Sequence, residues 1–128
     1  METATPLTIM LIDDDQEISD ATAALLSKRG YRVLHAGTGE EGLELLRSLR
    51  PDVIILDYRL PGKNGDVITD IIKSDVSTAG IPILMCTAQA TLAQPLGGNP
   101  RLRKPDAYLI KPFTSAQLLE QVRLLTGG

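Results

Sequence analysis

The stretch Val53-Ile54-Ile55-Leu56-Asp57-Tyr58-Arg59-Leu60-Pro61-Gly62-Lys63-Asn64-Gly65 passes from consecutive aliphatic residues to a carboxylate and then to a turn-forming segment. An apolar run without alternation fits a short strand covered on both faces, as parallel sheets require. Asn64 is a plausible helix cap, and the helix beyond it is expected to bury Val67, Ile68, Ile71 and Ile72. A strand followed at once by an amphipathic helix is half of a right-handed crossover, and the unit needs a parallel neighbour.

Outward from this unit the same grammar recurs. Further apolar runs lie at Leu7 to Ile12, Tyr31 to His35, Ile81 to Cys86 and Ala107 to Ile110. A helix is expected over Gln16 to Arg29, with Ile18, Ala21, Leu25 and Leu26 on one face and Gly30 as its stop. A second, over Thr38 to Leu49, carries Leu45, Leu46 and Leu49 on one stripe and ends before Pro51. The last opens at Thr114 or Ser115 and runs through Leu118, Leu119, Val122 and Leu125. Alternating strands and helices imply an α/β fold: a doubly wound, five-stranded parallel sheet with helices on both faces. One interval breaks the pattern. Gln89 to Pro105 carries Pro95, Gly97, Gly98, Pro100 and Pro105, so the helix due there is expected to be degenerate or replaced by a loop.

Composition fits this frame. With 128 residues, 43% hydrophobic and 23% charged, the chain reads as one domain, residues 1–128 with a core from 7 to 125 and no output domain after it. A chain this long buries about two-thirds of its unfolded surface, so it needs no staple. Cys86 is the sole cysteine, lies in an apolar run and reads as core. A net charge of −3 argues against direct nucleic-acid binding. No apolar run reaches the length of a membrane span, and Met1 to Leu7 lacks the parts of a secretory signal, so a cytoplasmic location is expected.

In an open parallel sheet, ligands bind outside the carboxyl ends of the strands. There the chain places Asp13, Asp14 and Asp15 after the first run, Asp57 after the third, Thr87 after the fourth and Lys111 after the fifth. An acidic run alone is usually a solvated face and a lone lysine usually surface; carboxylates, a hydroxyl and an ammonium at four strand ends form a constellation. Asp15 suits the positive end of the first helix. His35, the only histidine, has no partner motif and reads as a strand-end residue.

Asp13-Asp14 after an apolar strand, the Asp57 to Gly65 stretch, Thr87-Ala88 and Lys111-Pro112-Phe113 together resemble the receiver domain of two-component response regulators, from Leu7 to Leu125. The resemblance implies the flavodoxin-like receiver fold with strand order 2-1-3-4-5. It implies that Asp57 is a phosphoacceptor served by a sensor histidine kinase or a histidine phosphotransfer protein. Phosphoryl transfer to a carboxylate is a matter of positioning and charge, so the site needs a cation and positive partners. Magnesium suits oxygen donors. By resemblance Asp14 and Asp57 ligate it directly with the Arg59 carbonyl, and Asp13 acts through water. Lys111, turned inward by a cis bond to Pro112, pairs with Asp57 and the phosphoryl oxygens. Thr87 donates its hydroxyl to the phosphoryl group, and Tyr108 turns inward behind it as a switch. The Arg59 side chain, at the mouth, either shields the phosphoryl group from water or is simply solvated.

Such a domain is a phosphoacceptor rather than an enzyme acting on other molecules, and its further partner is an unspecified downstream protein, with no membrane involved. The broken interval argues against a dimer formed through the fourth helix of the family. Arg101, Arg103 and Lys104 make that interval basic, which fits either an acidic partner or an exposed loop. The competing reading is a haloacid-dehalogenase-type phosphatase with Asp13 as nucleophile, from the Asp-x-Asp after the first strand. Glu17 stands where that family expects threonine or valine. A flavodoxin-like electron carrier is disfavoured by the carboxylates where a phosphate-cradling loop should follow the first strand, and no G-x-x-x-x-G-K loop is present.

Overall fold

The computed structural model describes residues 6–88 and 101–127. The elements are β1 (Thr8–Ile12), α1 (Gln16–Lys28), β2 (Arg32–Ala36), α2 (Gly39–Leu45), β3 (Val53–Asp57), α3 (Gly65–Ser74), β4 (Ile83–Ala88), β5 (Ala107–Lys111) and α4 (Ser115–Thr126). Five parallel strands pair in the order β2-β1-β3-β4-β5, as the resemblance implies. The expectation of a degenerate or missing helix between β4 and β5 falls mainly on residues 89–100, outside the described residues, and so does the expectation about a helix-mediated dimer.

Alternation along the central strands divides the core. Met10, Ile12, Ile54 and Leu56 pack with Leu46, Ile68 and Ile72 on the side of α2 and α3. Ile9, Leu11, Val53 and Ile55 pack with Leu26, Leu118 and Val122 on the side of α1 and α4. A sheet filled from both faces leaves only its strand ends for polar chemistry. Among the described residues, no helix is long and apolar enough to cross a membrane.

Three helical expectations need correction. The regular part of α2 stops at Leu45, four residues before Leu49. The Arg47 and Ser48 N–H groups donate to Glu44 and Leu45 carbonyls three residues back, and the Arg50 guanidinium caps the Leu46 and Leu49 carbonyls. With Pro51 next, the chain tightens and leaves instead of adding a full turn. Leu49 is 38% exposed and Ile18 50%, although each was placed on an apolar helix face, and Ile71, expected to be buried, is 37% exposed. Leu26 of α1 and Ile68 and Ile72 of α3 are buried as expected, and Ser19 and Thr69 join them on the inward faces.

Candidate functional site

The carboxyl ends of β1, β3, β4 and β5 surround a cleft of about 500 Å³ lined by Asp13, Asp14, Asp57, Arg59, Thr87 and Lys111, with Asp15, Ile18 and Asn64 at its border. Asp13, Asp14, Asp15, Asp57, Thr87 and Lys111 therefore all reach one cavity. Tyr108 is not among the lining residues; it is half-buried and packs against the core on the α2 and α3 side. Burial and then the Asp66 carboxylate hold its hydroxyl above the usual tyrosine range.

Asp57 is the last residue of β3, in register with Cys86 of β4. The chain behind it is held by the Tyr58 N–H on the Cys86 carbonyl at 2.9 Å and the Gly65 N–H on the Tyr58 carbonyl at 2.7 Å. A Cβ at position 65 would lie 2.6 Å from the Asp57 carbonyl oxygen, so only glycine permits this return. Asn64 is the residue the sequence reading assigned only to a helix cap. It does precede α3, but its side chain makes no capping bond; instead its Oδ1 accepts from the Leu60 N–H at 3.3 Å and shapes the loop over the cleft.

The Lys111 ammonium donates to Asp57 Oδ1 at 2.7 Å. The Lys111–Pro112 peptide is cis. Burial opposes the charge on Lys111, but the hydrogen bond and charge of Asp57 outweigh it and hold its pKa above the usual lysine value. Asp13, Asp14 and Asp57 each offer a carboxylate oxygen, and these lie within 4.8 Å of one another. Asp13 is nearly buried, and its Oδ1 accepts from the Asp15 N–H at 2.9 Å. Burial, joined by the charges of Asp57 and Asp14, nevertheless raises its pKa above the usual carboxylate value. Asp15 caps α1 by accepting from the Ile18 N–H at 3.1 Å. Thr87 is buried, and its hydroxyl reaches the Ala88 carbonyl only at 3.5 Å, which leaves it weakly engaged. Burial pushes the Cys86 thiol up to about 12, so it is an inert neighbour.

Sequence reasoning missed His35. Its Nε2 lies 2.9 Å from the Asp13 carbonyl, a contact between residues 22 apart that no local motif announces. The basic interval is also partly spent. Arg103 donates through its backbone to Asp70 at 2.8 Å and through its guanidinium to Ser74 at 3.0 Å, so one of its three cations is turned toward α3.

Paired acids facing a lysine across the carboxyl edge of a 2-1-3-4-5 sheet define a receiver-type signalling domain. Residues 9–123 match the response regulator receiver domain family, and the chain belongs to it. It is 38% identical over 117 residues to the DNA-binding dual master transcriptional regulator RpaA of Synechocystis, covering 91% of this chain and 48% of that protein. The chain spans about half the length of this and the next DNA-binding regulators that it matches. The crystal structure of a putative response regulator from Chloroflexus aurantiacus superposes with a TM-score of 0.87 at 31% identity, covering 97% of this chain and 100% of that one. The receiver domain of the sensor histidine kinase PA1611 from Pseudomonas aeruginosa, solved with magnesium coordinated in its active-site cleft, gives 0.81 at 27% identity, with coverage of 97% and 100%. The family is one of phosphorelay signalling, and the phosphatase reading of Asp13 is not favoured.

Proposed function

We propose that this domain takes a phosphoryl group onto Asp57 from a histidine kinase or a histidine phosphotransfer protein, and that the phosphorylated domain changes its affinity for a downstream protein. The observation that carries this reading is the Asp57 carboxylate in the cleft, 2.7 Å from the Lys111 ammonium and grouped with Asp13 and Asp14. In the transfer, an Asp57 oxygen forms a P–O bond as the donor's P–N bond breaks. The electron pair leaves on the donor imidazole nitrogen, which takes a proton. Lys111 already holds the oxygen side of the acceptor and turns its remaining donors to the phosphoryl oxygens as charge gathers there. The weakly held Thr87 hydroxyl is free to donate to the same group.

The donor set suits a hard cation: three carboxylates, all oxygen, converge with the loop that carries the Arg59 carbonyl. Asp14, Asp57 and the Arg59 carbonyl would hold magnesium, with Asp13 acting through water. When bound, the ion supplies positive charge to the phosphoryl oxygens that the side chains alone cannot balance. Arg59, exposed at the mouth, hinders the water that hydrolyses the acyl phosphate, and Tyr108 follows Thr87 inward as the switch. The acidic rim of the cleft supports a protein, not a nucleic acid, as the direct partner of this domain.

The test is intact mass after incubation with acetyl phosphate and magnesium. The wild-type domain gains one phosphoryl mass and Asp57→Ala gains none. The same gain in Asp57→Ala would remove the assignment, and loss of the gain in Asp13→Asn alone would return the nucleophile to Asp13.

A further inference from the structure

We propose that His35 is a positioning residue for the acid pair after β1: its imidazole Nε2–H holds the Asp13 backbone carbonyl and thereby fixes the peptide that leads into Asp14. The proposal rests on the reading of Asp13, Asp14 and Asp57 as a cation site.

The carbonyl needs this donor because the sheet cannot supply one. Ile12 and Ala36 are the last paired residues of β1 and β2, and the Asp13 N–H still donates to the Ala36 carbonyl at 3.0 Å. A continued parallel ladder would bring the next donor from two residues beyond Ala36. There the chain has already left the strand: Thr38 caps α2, and the Gly37 N–H is taken by Glu41 Oε1 at 2.6 Å. His35, in register with Leu11, reaches past the end of the ladder to the Asp13 oxygen at 2.9 Å. Among the described residues, the only other side chain that approaches it is Ser19, whose Oγ is 3.5 Å away, at the limit of a hydrogen bond.

Chemistry fixes the proton. A carbonyl only accepts, so Nε2 carries the hydrogen of this bond. The bond matters at this place because three carboxylates crowd one another, with an oxygen of each within 4.8 Å of the others. Their repulsion drives the Asp13–Asp14 peptide away from Asp57. Tying that peptide to β2 through both its preceding N–H and its carbonyl resists the drift and keeps the oxygens at ligand spacing. This is the office of an outer partner in a metal site.

The experiment uses the full chain as wild type, His35→Gln, His35→Leu and Asp14→Ala. Gln places an amide N–H near the position of Nε2; Leu fills similar space without a donor. Magnesium affinity is read by calorimetric titration, the melting temperature is read without metal, and the wild-type histidine tautomer is read from long-range proton–nitrogen NMR correlations. The expected result is an Nε2–H tautomer, magnesium affinity weakened about 10-fold in His35→Leu and changed by less than about threefold in His35→Gln. An Nδ1–H tautomer overturns the proposal, as does wild-type affinity in His35→Leu or an equal loss in the two variants. Should His35→Leu fail to fold, the tautomer and the Gln variant still decide. Magnesium binding that is absent in wild type, or undiminished in Asp14→Ala, overturns the cation site itself, whereas binding lost in Asp14→Ala but untouched in His35→Leu overturns only the role of His35.

Discussion

Thr69 is fully buried in α3, and its hydroxyl has no hydrogen-bond partner among the described residues. A buried donor without a partner loses its hydration and gains nothing in return. Valine keeps the shape and removes the hydroxyl, so Thr69→Val is expected to stabilise the domain by about 1 kcal/mol, read from the urea midpoint at constant slope. A clear loss of stability would mean that the hydroxyl is paired after all. At this scale the sequence was legible wherever a residue's role follows from its place on a strand. Asp57, Thr87 and Lys111 could be placed because each ends an apolar run and the sheet brings strand ends together. His35, Ser19 and Asn64 could not, since each acts through a side-chain contact with a backbone group, and any polar residue at a strand end or helix start can make or lack such a contact.

Among the elements, the turn from β3 into α3 is the most constrained. A Cβ on Gly65 would meet the Asp57 carbonyl oxygen at 2.6 Å and Met85 Sδ at 2.8 Å, and the first of these is backbone that has no slack. Gly65→Ala is therefore expected to cost roughly 2 kcal/mol or more and to slow phosphorylation by acetyl phosphate, because the shift falls on the peptide that carries the acceptor. A variant with wild-type stability and rate would show that the turn can yield. Strand β5 enters the site through the bond from Lys111 to Asp57. Lys111→Ala is expected to retain some phosphorylation yet lose the change in amide exchange along β5 and α4 on adding beryllofluoride; a wild-type change would detach β5 from the acceptor. The order and type of elements were legible because uninterrupted apolar runs and helical stripes have different periods. The end of α2 was not. Leucines continue at helical spacing to Leu49, but carbonyl capping by Arg50 and the approach of Pro51 decide the last turn, and neither is a matter of period. On α1 and α3 the stripes held at Leu26, Ile68 and Ile72 but not at their margins, where Ile18 and Ile71 are exposed while Ser19 and Thr69 are buried.

For the molecule as a whole, the sheet gathers the Asp13, Asp14 and Asp57 carboxylates at one edge and sets Lys111 against them. Asp13 shows that the balance is incomplete. Its pKa is raised in the folded state, first by burial and then by Asp57 and Asp14. For an acid, a raised folded pKa means that the native state binds more protons than the unfolded chain between the two values, so stability falls as pH rises through that window and the deficit persists at neutral pH. The unfolded chain, with its carboxylates apart, does not share this cost. A divalent cation that binds only the folded cluster removes it, and at ten times its dissociation constant adds about 1.4 kcal/mol by mass action. For a domain of 128 residues that corresponds to a rise in melting temperature of about 5 °C. Two variants separate repulsion from ligation. Asp13→Asn relieves the crowding and is expected to melt higher than wild type without metal, with a smaller rise on adding magnesium. Asp14→Ala also relieves crowding, but it removes a direct ligand and is expected to show no rise at all. A full magnesium response in Asp14→Ala would exclude it from the ligand set, and a metal-free Asp13→Asn that melts below wild type would mean that the hydrogen bond from the Asp15 N–H, not charge repulsion, governs stability at this edge of the sheet.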